Sequence, residues 1–130
     1  MNAEADRAVV EALWAAFDAR DWERAAARLA DDVVCEWPHS GERFRGRDAV
    51  IAVNRDHPDP WIRIEVLRVV AEGDQVVTEV RVPVEGARPA YAASFFEVRD
   101  GLIVRMTEYW VDAGSQAPYP SRAGLSEPAT

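Results

Sequence analysis

The chain has 130 residues, 48% of them hydrophobic, enough for one core and too few for two ordinary domains. Its 15 basic residues, all arginine, face 23 acids, and the formal net charge of -8 repels phosphate backbones and anionic membranes, which excludes nucleic acid and membrane as expected partners. A single cysteine, Cys35, rules out an intramolecular disulfide and any multi-cysteine metal site.

The absence of lysine fits a GC-rich bacterial coding sequence. The N-terminus MNAEADRAVV lacks the basic-then-apolar pattern of an export signal, and no segment approaches the ~20 apolar residues of a membrane span, so a cytoplasmic protein is expected. Over residues 3–20, Val9, Val10, Leu13, Trp14 and Phe17 recur at helical spacing and predict one long helix with a buried stripe. Asp21 reads as the N-cap of a second helix, from Trp22 to about Ala30, with the Asp31–Asp32 pair at its exit. A strand, VVCEW, follows and is cut by Pro38; residues 39–46 read as a loop. A third helix spans about 48–56 and is ended by Pro58 and Pro60.

Beyond Trp61 the period changes to two. Ile62, Ile64 and Val66, then Val76, Thr78, Val80, Val82 and Val84, mark the faces of successive strands. Glu72-Gly73-Asp74, Gly86 and Asp100-Gly101 are turn signals, the last splitting residues 91–99 from 102–112 as a hairpin. The segment from Gly114, rich in Pro, Ser, Ala and Gly, has little to bury and reads as an extended or partly disordered arm (114–130) after a single domain (1–113). Helices first and antiparallel strands afterwards predict an α+β domain, three N-terminal helices packed on one face of a curved, mainly antiparallel sheet.

Three stretches, LADDVVCEWP, FRGRDAV and FFEVRDGLIVRMTEYW, together with this element order over roughly residues 5 to 112, resemble the nuclear transport factor 2-like superfamily, closest to its SnoaL-like branch. The resemblance implies a cone-shaped fold, a small-molecule pocket, and a homodimer packed through the open sheet face that carries Glu79, Arg81 and Tyr109. It leaves activity open among ketosteroid isomerases, epoxide hydrolases, polyketide cyclases, dehydratases and non-enzymatic modules. Ketosteroid isomerase resemblance implies a carboxylate base, a tyrosine and a protonated aspartate where this chain has Trp37, Leu13 and Ser94. The limonene-epoxide-hydrolase pattern implies an Arg-x-Asp pair where it has Val80 and Val82. Only the acid of the last strand has a counterpart, Glu108, and SnoaL-like cyclases resemble the chain in carrying an acid near that point.

Strand parity points the same way. Val104, Met106, Glu108 and Trp110 share one face, so a carboxylate stands among apolar neighbours; if that face is the buried one, desolvation raises its pKa toward the range useful for proton transfer. The alternative pairs it with an arginine such as Arg55 or leaves it at a wet sheet edge. A two-residue Asp-Gly loop points Tyr91, Phe95 and Glu97 inward, whereas a three-residue bulged loop points Ala92, Ser94 and Phe96 inward; the bulged loop is expected, because it sends Glu97 to solvent.

His39, after the first strand in WPHSGE, is a candidate second proton carrier at the mouth. His57 reads as plain loop, Cys35 as a small buried hydrophobe, and Arg43, Arg45 and Arg47 as partners of nearby acids. Tyr109 reads as an interface ring and Asp112 as a strand terminus. Trp14, Phe17, Trp37, Phe96 and Trp110 are core by default and an aromatic wall if a cavity exists, with Thr78 or Ser94 offering a hydrogen bond to substrate. The expectation is an enzyme of cofactor-free acid/base type, a cyclase, hydrolase, dehydratase or isomerase with Glu108 and His39 catalytic, acting on a small apolar or polycyclic molecule without metal or cofactor. The alternative is a non-catalytic ligand-binding or assembly module.

Overall fold

The computed structural model describes residues 2–129. Helix α1 (Ala3–Asp18) is capped by the Asn2 side chain, which accepts a hydrogen bond from the Ala5 N–H at 2.8 Å, and buries Val9, Val10, Leu13, Trp14 and Phe17. The expected stripe is therefore present. Asp21 caps α2 (Trp22–Ala26) by accepting from the Arg24 N–H. That helix is shorter than its composition predicts. Leu29 and Ala30 belong instead to β1 (Leu29–Trp37), where Leu29 pairs with Ile103 and the Ile103 N–H donates to the Arg28 carbonyl. Sheet pairing overrides local helix preference here, and Asp31 and Asp32 are exposed strand residues where the β1 register shifts.

The stretch expected to be all loop contains a further strand, β2 (Glu42–Arg45), antiparallel to β1. Its one apolar residue, Phe44, gives no visible alternation, yet it packs edge-on against Trp37 with ring centroids 4.8 Å apart. Helix α3 (Arg47–Arg55) starts from Gly46 at φ 90, ψ 152, a backbone conformation in essence restricted to glycine. The Gly46 N–H donates to the Val33 carbonyl at 2.7 Å, which fixes the start of α3 against β1. The glycine of FRGRDAV is thus set by geometry.

Strands β3 (Glu65–Glu72), β4 (Gln75–Val82), β5 (Ala90–Arg99) and β6 (Leu102–Asp112) complete one six-stranded sheet in the order β2-β1-β6-β5-β4-β3. Only β1–β6 is parallel. All three helices cover one face of this curved, unclosed sheet, α1 against β3 and β4 and α3 against β1. Residues 114–129 are exposed, with a single 3₁₀ turn at Pro120–Arg122.

The β5–β6 hairpin corrects the sequence reading in an instructive way. Its turn is the two-residue form: Arg99 pairs with Leu102, and Asp100 and Gly101 take φ 52 and 78, as a type I′ turn requires. Yet Ala92, Ser94 and Phe96 still point inward, because the bulge lies in the strand instead of the loop. Val98 faces Ile103 and Glu97 faces Arg105, so Val104 is the extra residue. The inward face of β6 is Ile103, Met106, Glu108 and Trp110, with Val104 displaced from it.

Gly46→Ala is expected to lower the unfolding free energy by about 1–3 kcal/mol, since the added Cβ makes only an ordinary contact with the Asp31 carbonyl oxygen at 3.8 Å but the backbone angle does not suit an L-residue. Urea unfolding of the two proteins measures it, and an unchanged midpoint would contradict the assignment.

Candidate functional site

The inward face of β4, β5 and β6 is arranged in rungs by its register. From the mouth inward these are Val82–Ala90–Asp112, Val80–Ala92–Trp110, Thr78–Ser94–Glu108 and Val76–Phe96–Met106. The third rung places three polar side chains side by side between apolar rungs, and all three are buried.

Each is satisfied. Ser94 Oγ donates to Glu108 Oε2 at 2.8 Å, Trp37 Nε1 donates to Glu108 Oε1 at 3.1 Å, and Cys35 Sγ lies 3.8 Å from the same oxygen. Trp14 Nε1 donates to Thr78 Oγ1 at 3.1 Å. Burial raises the Glu108 pKa above the ordinary 4.5, and the hydrogen bonds from Ser94 and Trp37 oppose this without cancelling it. The Trp110 indole N–H also favours the charge, but it does not reach hydrogen-bond geometry and is left buried without a partner. Burial, then the neighbouring carboxylate, pushes the Cys35 thiol up as well, so Cys35 is inert as a nucleophile and serves as a small core residue. Arg55 pairs with Asp56, not with Glu108.

Above this polar rung opens a cavity of about 280 Å³. All five tryptophans of the chain, Trp14, Trp22, Trp37, Trp61 and Trp110, line it. Of the sequence-predicted set, Trp14, Phe17, Trp37, His39 and Trp110 are in its wall; Glu108, Thr78, Ser94 and Phe96 lie beneath its floor. Glu108 is one rung deeper than Trp110 and is not part of the wall, whereas Trp37, which donates to it, is. His39 sits exposed at the rim, its ring 5.7 Å from that of Trp37.

Sequence reasoning does not assign several wall residues to the site, among them Trp22, Trp61, His57, Asp59 and Asp112. His57 is more than plain loop, because its Nε2 lies 3.3 Å from Asp59 Oδ2 at the pocket rim. Trp22 and Trp61 carry no periodic signal distinguishing a wall residue from a core one. Asp112 is both a strand terminus and a mouth residue, because the inward parity of β6 extends two residues past Trp110.

The connection 57–64 supplies much of the outer wall, and Arg20 fastens it. Arg20, at φ 55, aims its guanidinium over the Trp61 ring at 3.4 Å from the centroid and donates to the Trp61 carbonyl at 2.7 Å and the Asp18 carbonyl at 2.8 Å. Asp18 in turn accepts from the Ile64 N–H at 2.8 Å. Among the basic run, Arg43 pairs with Glu36 at 2.9 Å and Arg47 with Asp31 at 2.8 Å, as surface partners of nearby acids. Among the described residues no group of three His, Cys, Asp or Glu side chains is placed to hold a metal ion, and no helix is long and apolar enough to cross a membrane.

Because Glu108 holds its proton in the folded chain over a pH range where the unfolded chain releases it, its contribution to stability is full below about pH 4.5 and is lost as pH rises through the folded pKa. Glu108→Gln removes this linkage. The stability of the variant relative to the parent should climb with pH across that window, as read by urea midpoints; a difference independent of pH contradicts a buried acid with a raised pKa.

Comparison with known proteins places this site in context. The SnoaL-like domain profile matches residues 10–106. A search of curated proteins finds no match. Among solved structures, a Kribbella flavida protein provisionally described as a ketosteroid isomerase is similar at 32% identity and TM-score 0.88, over 98% of this chain and 92% of that one. A protein of unknown function from Burkholderia xenovorans, described as NTF-2 like, shares 34% identity at TM-score 0.81 over 100% and 99% of the two chains. An LEH-like epoxide hydrolase of M. tuberculosis shares 25% identity at TM-score 0.71 over 84% of each. With its profile match spanning most of the sequence and its three helices on a curved, unclosed sheet, the chain belongs to the SnoaL-like domain family and has the nuclear transport factor 2-like fold.

Proposed function

We propose that this chain takes up a small, predominantly apolar, ring-containing molecule in the tryptophan-walled pocket. The observation that carries this reading is the convergence of all five indoles, contributed by five different parts of the chain, on one open cavity of about 280 Å³. A core needs to be filled; these rings instead surround space, and flat rings complement flat ligands.

The finer reading is cofactor-free acid/base turnover of that molecule with Glu108 as the proton-transfer group and His39 as a second proton carrier at the rim. What favours it is a buried carboxyl whose pKa is raised by desolvation, directly under the floor, at the end of the strand where the resemblance implies an acid. Catalysis by this group requires that the wall rearrange so that a ligand reaches the buried carboxyl. Pure binding is the second reading, favoured by the fact that Glu108 is absent from the wall and both its oxygens are occupied by internal partners.

Titration with a library of small ring compounds, followed by intrinsic tryptophan fluorescence, tests the binding reading: saturable quenching is expected, and a flat response across the library would refute it. For a compound that is turned over, Glu108→Gln should cut kcat by about 10²–10⁴-fold while binding persists. Equal turnover by both proteins would remove Glu108 from the chemistry.

The proposal includes a homodimer. The outer sheet face exposes Phe95, Tyr109, Val111 and Val70, with Phe95 and Tyr109 packed edge-on at 6.2 Å, an apolar patch flanked by the Arg68–Glu79 and Arg81–Glu65 pairs. Size-exclusion chromatography with light scattering should give about twice the chain mass at micromolar concentration, and Tyr109→Arg should shift it toward monomer; a monomeric parent would count against the dimer.

A further inference from the structure

The pocket wall has a one-sided charge. None of the chain's 15 arginines lines it, and its only formally charged residues at neutral pH are the acids Asp59 and Asp112. Asp59 is within ion-pair distance of His57, whereas Asp112 has no ion-pair partner among the described residues. The longer helices add to this sign. The C-terminal ends of α1, through Phe17, and of α3, through Val53 and Asn54, contribute to the wall, so the negative ends of two helix dipoles lie beside the cavity. Against them stand the start of the five-residue α2 and the Arg20 guanidinium, which lies over Trp61 and is tied to two backbone carbonyls.

Indole faces carry negative quadrupole potential, and tryptophan is the strongest of the aromatic side chains for a cation. Arg20 already uses one ring of this wall in that way. We infer that the ligand of this pocket is an organic cation: an apolar ring body carrying a protonated amine or quaternary ammonium group that rests among the indoles near Asp112. An anionic ligand would meet two carboxylates and no arginine, which opposes carboxylate or phosphate compounds of the same size. This inference rests on the proposed binding of a small ring compound and narrows it to one charge class.

A matched probe set separates the two. Aminoindane, indanol and indane carboxylate share a ring system that fits the cavity and differ in carrying a positive, zero or negative charge at neutral pH. Titrated into the full chain by calorimetry and tryptophan fluorescence, aminoindane should bind at least about fivefold more tightly than indanol, with the carboxylate weakest. Asp112→Asn should lower aminoindane affinity more than indanol affinity, and added salt should narrow the same ratio. Indanol or the carboxylate binding as tightly as the amine overturns the cation assignment and leaves the pocket reading intact. If none of the three binds saturably, both fail.

Discussion

A carboxyl group enclosed by a protein interior must be neutralised or matched by donors, and the centre of this molecule is organised around one such group. Glu108 sits on the covered face of the sheet with Ser94 on one oxygen and Trp37 on the other. Its burial raises its pKa, and the donors set its orientation. Both are available because β5 brings Ser94 directly opposite Glu108 and the parallel pairing of β1 with β6 brings Trp37 alongside. Remove the parallel pair and the indole has no fixed place; remove the bulge at Val104 and the register slips by one, so that Ser94 no longer stands opposite the acid.

The same rung also divides the interior. Below it, Val76, Phe96 and Met106 pack as ordinary core. Above it, small residues on β5, Ala92 and Ala90, leave room that Trp110 and the other indoles surround without filling. The Trp37 side chain belongs to both regions, with its N–H committed to the acid and its ring in the pocket wall. Events in the pocket and the state of the carboxyl are in this way linked through a single side chain. The outer wall depends on a different device, the left-handed Arg20 that clamps the 57–64 connection by cation–π contact and hydrogen bonds.

Much of this was legible in the residues. The amphipathic stripe of α1, the Asp21 cap and the period-two strands follow from spacing, and the FRGRDAV glycine marks a helix start that only glycine fits. The inward direction of Glu108 was also readable, since parity counted from Met106 and Trp110 does not cross the bulge. What was not legible is the product of long-range pairing. The early end of α2 is dictated by Ile103 seventy-odd positions away in the chain, and β2 has one apolar residue to announce it. The hairpin shows how a local rule can give the right facing for a different reason: the turn obeys the Asp-Gly preference, and an unheralded bulge at Val104 restores the facing that the turn alone would reverse. Sequence also cannot say whether an indole fills a core or walls a cavity, which is why Trp22 and Trp61 went unmarked and Thr78, Ser94 and Phe96 fall beneath the floor.

The protonation state of Glu108 can be observed directly by infrared difference spectroscopy between the parent and Glu108→Gln across a pH series. The account predicts a carboxylic-acid C=O stretch that belongs to Glu108 and persists to higher pH than that of an exposed glutamate, because burial raises its pKa. A Glu108 carboxylate stretch already dominant at the pH where exposed glutamates titrate would contradict it.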